Sequence, residues 1–261
     1  MRPTLHIPDG FLAPEVSIAL WVATAMVLAV ALRRISSDSR RASARTVLMG
    51  IAGAFIFAAQ MFNFPVAAGT SGHLLGGVLA GVLLGPWAGS IVMATVIGIQ
   101  ALLFQDGGLL VLGANIFNMG VIGTLGGSLV ARAATEVLGG GRRGQFVGVG
   151  LAAWLSVMAA AGLTTLQLGL SGTTDIGIGL PAMLGTHALI GIGEALITIG
   201  AIGFISASAP DILNERAATR GASTGRRIAL GTAIAVVIVS LASLFASASP
   251  DGLERVAEDL G

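Results

Sequence analysis

The sequence predicts an all-α membrane protein, a polytopic bundle of about eight transmembrane helices, because it contains long stretches without charge. Charged residues make up 10% of the chain and hydrophobic residues 54%, whereas soluble domains carry about 25% charged residues. Only one ionisable side chain, that of His73, lies between Arg45 and Asp106. A bilayer core about 30 Å thick needs about 20 apolar residues per helix, and several runs are long enough. An outer-membrane β-barrel would instead show short segments of alternating polarity.

The helices are predicted in chain order from these apolar runs. The predicted spans are 14–32, 47–68, 73–85, 87–105, 109–131, 145–170, 181–207 and 228–247. Arg33 and Arg34 follow the first run rather than precede it, which favours a retained helix over a cleaved signal peptide. The third span is short, and Gly85-Pro86 separates it from the fourth. Glycines at positions 77, 81 and 85 predict close packing of helix backbones.

The arginines predict the orientation of the bundle. All 14 basic residues are arginine. If eight helices alternate in direction, every arginine except Arg2 and Arg255 falls in a loop on the same side of the membrane. The arginines on that side are Arg33, Arg34, Arg40, Arg41, Arg45, Arg132, Arg142, Arg143, Arg216, Arg220, Arg226 and Arg227. By the positive-inside rule this side is cytoplasmic, so both termini are expected to be extracytoplasmic. His6, His73, the 105–108 turn and Asp175 then share the outer face.

The composition also excludes several classes of chemistry. The chain has no Cys, which excludes thiolate metal sites and disulfides. It has no Lys, which excludes the lysine of a Walker A loop, so any ATP hydrolysis must occur in another subunit. No HExxH motif is present, and its absence argues against a zincin-type membrane protease. We expect a protein that is not an enzyme and has no nucleic-acid partner.

Two histidines are the candidate metal ligands. A lone histidine near a membrane interface is more often a hydrogen-bonded structural residue. However, His6 lies in the polar segment "HIPDGFL" and His73 follows "GTSG", and both are predicted on the outer face. Two imidazoles without any Cys suit a borderline cation such as Ni, Cu, Co or Zn.

Other polar residues have weaker claims. Asn63, Ser71 and Asn118 could support the site, although Asn118 could equally make an interhelical hydrogen bond. His187 and Glu194 lie seven residues apart, on one helix face. An intramembrane acid is a functional candidate, but these two residues lie away from the outer site. Their position favours a structural role for His187 and Glu194, either in a hydrogen bond or in a contact with a partner helix.

Four motifs in order resemble the CbiM/NikM family, the substrate-capture components of energy-coupling-factor transporters for cobalt and nickel. They are "HIPDGFL", "GTSGHLLGGVLAGVLLGPWAG", "ALLFQDGGLLVLGANIFNMG" and "HALIGIGEALIT". The C-terminal "SPDGLERVAEDLG" resembles the small partner CbiN/NikN, whose second membrane helix is not in the printed sequence. The resemblance implies a metal-capture domain over 1–207, a cytoplasmic Arg-rich linker over 208–227 and an N-type helix with its PDGLE segment over 228–261.

The resemblance also implies a function and partners. The chain would be a multi-pass component of a bacterial or archaeal cell membrane, importing Ni2+ or Co2+ and carrying no cofactor. It would act with a transmembrane coupling (T) subunit, with ATP-binding subunits and with a separate N-type small subunit. A fused chain of this kind favours nickel. The alternative is a structural or regulatory membrane subunit that binds no metal.

The family's ligands are a terminal amine, the amide and imidazole of the next residue, and a second histidine. The motif match carries these roles to Leu5, His6 and His73. Family members begin Met-His, whereas here residues 1–4 precede Leu5, which removes its free amine. We therefore expect the functional protein to start at position 5, read as Met, or to be trimmed there. Otherwise the amide of Thr4 or Leu5 is the nearest substitute.

Overall fold

The structure, a computed structural model, describes residues 6–36, 42–67, 70–208, 249, 252–253 and 255–256. Seven helices and one antiparallel hairpin make up most of this part. The helices are α1 (Pro14–Ser36), α2 (Ala42–Gln60), α3 (Gly77–Leu84), α4 (Pro86–Phe104), α5 (Leu112–Val137), α6 (Gly141–Leu170) and α7 (Ile176–Ser208). The strands β1 (Phe64–Ala67) and β2 (Thr70–Gly72) lie between α2 and α3.

Within the described ranges, 5 helices are long and apolar enough to cross a membrane, namely α1, α4, α5, α6 and α7. α2 contributes a shorter apolar stretch, Arg45–Gln60. Large apolar side chains such as those of Ile18, Met26, Leu129 and Leu196 are more than half exposed. Extended apolar surface of this kind suits contact with lipid rather than water. The protein is therefore a multi-pass, all-α membrane protein, as the composition predicts.

The end of the second helix corrects the sequence prediction. α2 ends at Gln60 and is followed by the hairpin, whereas the apolar run predicts a helix as far as residue 68. Pro65 lies in β1. Proline lacks the N–H that a helix interior needs, and it disfavours helical geometry in the residue before it. The chain therefore leaves the helix and forms a short strand pair. The eighth predicted helix, 228–247, lies outside the described residues.

The third predicted span is also wrong at its start, and this matters for the site. α3 begins at Gly77, so His73 lies in the loop between β2 and α3 and not on the helix. Gly76 has a left-handed φ of 76° immediately before the helix, which a residue without Cβ adopts at little cost. At the other end, Gly85 separates α3 from Pro86, the first residue of α4, where a missing N–H is tolerated.

α3 packs against α5 backbone to backbone. A Cβ added to Gly77 would lie 2.5 Å from the carbonyl oxygen of Met119 and 2.8 Å from Cα of Gly123. A Cβ on Gly81 would lie 2.8 Å from the carbonyl oxygen of Thr124. Only small residues permit this approach, so the predicted packing role of these two glycines is confirmed. Gly85 has no atom within 4 Å of a Cβ position and takes no part in it.

Candidate metal-binding site

His6 and His73 meet at one end of the bundle although they are far apart in sequence. Their ring centroids lie 5.8 Å apart, with the ring planes at 79°. His6 precedes α1, whereas His73 lies in the loop before α3. Both side chains are buried, with 2% and 8% of their surfaces exposed. The fold thus brings two imidazoles into one largely enclosed place.

The chain next to His6 is held by an amide pair from α5. The Ile7 N–H donates to Oδ1 of Asn115 at 3.1 Å, and Nδ2 of Asn115 donates to the Ile7 carbonyl at 3.0 Å. The Gly108 N–H donates to the same carbonyl at 2.9 Å. Both backbone polar groups of Ile7 are therefore satisfied by groups more than a hundred positions away in sequence. This pairing fixes the backbone that carries His6.

Asp9 joins this N-terminal arm to the loop between α4 and α5. Its carboxylate accepts from the N–H groups of Leu109 at 3.1 Å, Leu110 at 2.8 Å and Val111 at 3.4 Å. These N–H groups lie just before and at the start of α5, where a helix has no internal acceptors. The turn pair Asp9-Gly10 thus does more than reverse the chain, because its carboxylate caps another segment.

Asp106 is a neighbour of His6 that the sequence analysis located only as part of the 105–108 turn. Nδ1 of His6 lies 3.4 Å from Oδ2 of Asp106 and 3.3 Å from its backbone carbonyl oxygen. A Cβ on Gly107 would lie 2.8 Å from Cβ of His6, so this loop must be glycine there. Asp106 is the one acidic residue between Asp38 and Glu136, and that isolation in an apolar stretch is the sequence signal that could have found it.

The imidazole of His6 has a nitrogen that could bind a further group. Nε2 is buried and has no hydrogen-bond partner among the described residues. A buried polar atom without a partner costs free energy. Nε2 cannot chelate an ion together with the amide nitrogen of its own residue, because only Nδ1, which lies beside Asp106, is near enough to close a small ring with that amide.

The loop that carries His73 is held from two helices. Nδ1 of His73 lies 3.1 Å from the carbonyl oxygen of Leu74. Nε2 of Gln60, at the end of α2, donates to the Leu75 carbonyl at 2.6 Å. Glu194 of α7 accepts from the N–H groups of Leu75 and Gly76. The candidate ligand therefore lies on a backbone segment whose polar groups are paired with distant helices.

The remaining predicted residues take different places. Asn118 and Gln167 exchange hydrogen bonds at 2.9 and 2.7 Å between α5 and α6. Nδ1 of His187 lies 2.8 Å from the Met183 carbonyl on its own helix.

Two predicted residues lie nearer to the His73 loop. Oγ of Ser71 donates to the Ser249 carbonyl at 2.6 Å, which places part of the C-terminal segment beside β2. Oδ1 of Asn63 is buried without a hydrogen-bond partner among the described residues. Leu5 lies outside the described residues. The described part also contains no group of three or more His, Cys, Asp or Glu side chains arranged to hold a metal.

Comparison with known families shows to which family the chain belongs. A family model described as the cobalt uptake substrate-specific transmembrane region, CbiM, matches residues 6–212. The chain belongs to the CbiM family. A second model, the PDGLE domain, matches residues 225–261. The resemblance to CbiM/NikM with a CbiN-like C-terminal segment is therefore confirmed.

Individual CbiM relatives and a solved structure agree with this assignment. The chain is 32% identical over 251 residues to the fused nickel transport protein NikMN of Rhodobacter capsulatus, covering 91% of this chain and 72% of the relative. It is 30% identical over 261 residues to the cobalt transport protein CbiM of Geobacter sulfurreducens, covering 97% of this chain and 73% of the relative. A crystal structure of a transition metal transporter matches with a TM-score of 0.67 and 33% identity, over 81% of this chain and 96% of that one. This CbiM-family chain is a nickel/cobalt transport component and not an enzyme.

Proposed function

We propose that this chain is the substrate-capture component of an energy-coupling-factor transporter that binds Ni2+ or Co2+ at its outer face and passes the ion inward. The observation that carries the proposal is the convergence of His6 and His73, with ring centroids 5.8 Å apart. Two buried imidazoles provide the nitrogen donors that borderline divalent cations prefer. The arginine distribution assigns their end of the bundle to the outside.

The proposed ligands are the imidazoles of His6 and His73, the amide nitrogen of His6 and the amine of residue 5. An amine, the next amide and Nδ1 of the same residue's imidazole chelate one ion in fused rings, so Nδ1 of His6, which lies beside Asp106, is the proposed imidazole donor. The described ranges contain no cluster of three or more His, Cys, Asp or Glu side chains arranged to hold a metal, and the two backbone nitrogens of the proposed set are those that the family resemblance implies. Because the amide must lose its proton to bind, affinity for the ion should rise with pH.

Substitution of each histidine in turn tests this function. His6→Ala and His73→Ala should abolish high-affinity Ni2+ and Co2+ binding to the purified protein, measured by equilibrium titration. The chain has 3 histidines, so His187→Ala is the matched control and should bind like the wild type. Wild-type affinity in His73→Ala would remove that residue from the site. A wild-type protein that binds neither ion would favour the structural or regulatory subunit instead.

The role of residue 5 is tested in the same titration. A chain that lacks residues 1–4 and carries Met at position 5 should bind the ion more tightly than the printed chain, because its amine completes the chelate. Equal affinity of the two chains would mean that the amine is not a ligand. The amide of Thr4 or Leu5 would then be the candidate donor.

Transport by this component requires partners. The chain has no Lys and therefore no Walker A lysine, which supports ATP hydrolysis in separate ATP-binding subunits coupled through a T subunit. A separate N-type small subunit is a further proposed partner. The relative from Rhodobacter capsulatus is named as a fused nickel transport protein, which supports nickel as the preferred ion. Competition between the two ions in the binding titration decides this preference.

A further inference from the structure

Glu194 is a buried acid that the proposed metal site does not use directly. Its side chain is 0% exposed, and it lies in α7 within the run of apolar residues that crosses the membrane. A buried carboxylate is costly unless several hydrogen bonds compensate it. Among the described residues, both of its hydrogen bonds go to the segment just before α3. Oε2 accepts from the Leu75 N–H at 2.6 Å and Oε1 from the Gly76 N–H at 2.9 Å.

These two N–H groups belong to the segment that joins His73 to α3. They directly precede the first turn of α3, and Gly76 has no side chain with which to cap its own helix. N–H groups at a helix start lack internal acceptors and favour a nearby negative charge. Glu194 supplies an acceptor oxygen to each of these N–H groups from a different helix, 118 and 119 positions away in sequence.

α7 also contacts the chain on the other side of His73. Ile190 lies one turn before Glu194, so both side chains are on the same helix face. A Cβ on Gly72 would lie 2.8 Å from two carbon atoms of the Ile190 side chain. The Leu75 carbonyl is meanwhile held by Gln60 at 2.6 Å. The chain therefore packs against α7 one residue before His73 and is hydrogen-bonded to α7 two residues after it.

We propose that Glu194 is a positioning residue that sets the place of the His73 imidazole relative to His6. It does so through the peptide groups of Leu75 and Gly76 and makes no contact with the ion. The inference rests on the proposed function, because it matters for affinity only if His73 binds the ion. Partners that orient a metal-ligating histidine change affinity by about 10- to 100-fold when they are removed.

Glu194→Gln is the sharpest test because it changes the hydrogen bonds without changing the side-chain volume. A carboxylate accepts at two oxygens, whereas an amide accepts at one oxygen and presents an NH2 donor at the other position. One backbone N–H therefore loses its acceptor. We expect the Kd for Ni2+ to rise by about 10- to 100-fold in a protein that remains folded and monodisperse in detergent. Glu194→Asp keeps both acceptor oxygens but withdraws them by one methylene, so its Kd should lie between the two.

Thr198→Val is the matched control. Thr198 lies one turn further along α7, is 0% exposed, and its hydroxyl has no hydrogen-bond partner among the described residues. Its replacement removes a buried polar atom from the same helix without touching the His73 loop. The Kd for Ni2+ should stay at the wild-type value.

The visible absorption spectrum of bound Ni2+ separates positioning from simple stabilisation. A displaced imidazole alters the ligand field, so the spectrum of the Glu194→Gln complex should shift. A purely structural role would reduce only the amount of folded protein and leave the spectrum of the bound fraction unchanged. Wild-type affinity and spectrum in Glu194→Gln would overturn the inference. If that variant does not fold, the same result in Glu194→Asp would overturn it.

His73→Ala distinguishes the failure of this inference from the failure of the proposed function. If His73→Ala binds Ni2+ like the wild type, the proposed ligand set is wrong and the positioning role of Glu194 is wrong with it. If His73→Ala abolishes binding while the Glu194 variants bind normally, the inference alone fails.

Discussion

At the scale of single residues, the two histidine segments are held by hydrogen bonds from side chains outside the proposed ligand set. Asn115→Ala removes both bonds to Ile7, whose N–H and carbonyl groups are buried behind His6. The Ile7 carbonyl keeps the bond from the Gly108 N–H, but the Ile7 N–H loses its acceptor, which costs about 1–3 kcal/mol, so the N-terminal arm should be held less firmly. We expect the affinity for Ni2+ to fall by about tenfold or more.

Asn118→Ala, three residues along the same helix, is the comparison for Asn115→Ala. Asn118 pairs with Gln167 on α6 and has no bond to either histidine segment in the described part. Its loss should lower the midpoint of thermal unfolding in detergent and leave Ni2+ affinity unchanged. A loss of affinity in Asn118→Ala would instead restore its predicted role beside the metal site. Titration and unfolding of both variants measure the two effects separately.

The sequence predicts the pair His6 and His73 but not the residues that hold them. Both histidines could be found because a polar residue in an apolar chain is costly to bury and is therefore a functional candidate. The partners of Glu194 are backbone N–H groups, which leave no residue-type pattern. The seven-residue spacing of His187 and Glu194 indicates a shared helix face, yet His187 bonds within α7 while Glu194 bonds to the His73 loop. Side-chain spacing therefore predicts a face but not what that face contacts.

At the scale of helices and strands, the α3–α5 contact depends on the absence of side chains. Gly77→Ala would place a methyl group 2.5 Å from the Met119 carbonyl oxygen, so the two helices must separate. Such overpacking costs about 1–3 kcal/mol, and the unfolding midpoint should fall. Gly98→Ala on α4 is the control, because a Cβ there has nothing within 4 Å. Replacement of glycine by alanine inside a helix should be neutral or stabilising by up to about 1 kcal/mol. Equal midpoints for both variants would contradict the packing argument.

Helix positions are predicted well from hydropathy, whereas the hairpin is not. Apart from Asn63, the residues of 61–72 are apolar or small, and a short apolar run does not distinguish strand from helix by periodicity. Pro65 is a local signal against a helix, but it does not predict which segment pairs with it. The pairing of Pro65 with Ser71 is a tertiary result, and it moves His73 off the helix and into the loop where Gln60 and Glu194 hold its neighbours.

At the scale of the whole molecule, composition alone predicts the fold class because apolar length is set by the bilayer. The end at which the site lies follows from helix order. α5 leads away from the site and α6 returns towards it, so the turn that joins α6 to α7 lies at the site end. Leu253 packs against the buried cluster that contains Ile7, Val111 and Leu168, which places part of the PDGLE segment at this end as well. The prediction that this end faces outward rests on the distribution of the arginines among the loops and on the positive-inside rule.

The orientation can be measured directly because the chain contains no Cys. Two variants each introduce one thiol for labelling. Thr173→Cys places it in the exposed turn between α6 and α7, and Leu138→Cys places it in the exposed loop between α5 and α6. Arg132, Arg142 and Arg143 flank the second position, and positive loops stay in the cytoplasm. A membrane-impermeant maleimide should therefore label Thr173→Cys in intact cells and label Leu138→Cys only after permeabilisation. The opposite pattern would place His6 and His73 on the cytoplasmic side, where they could not capture an ion from outside.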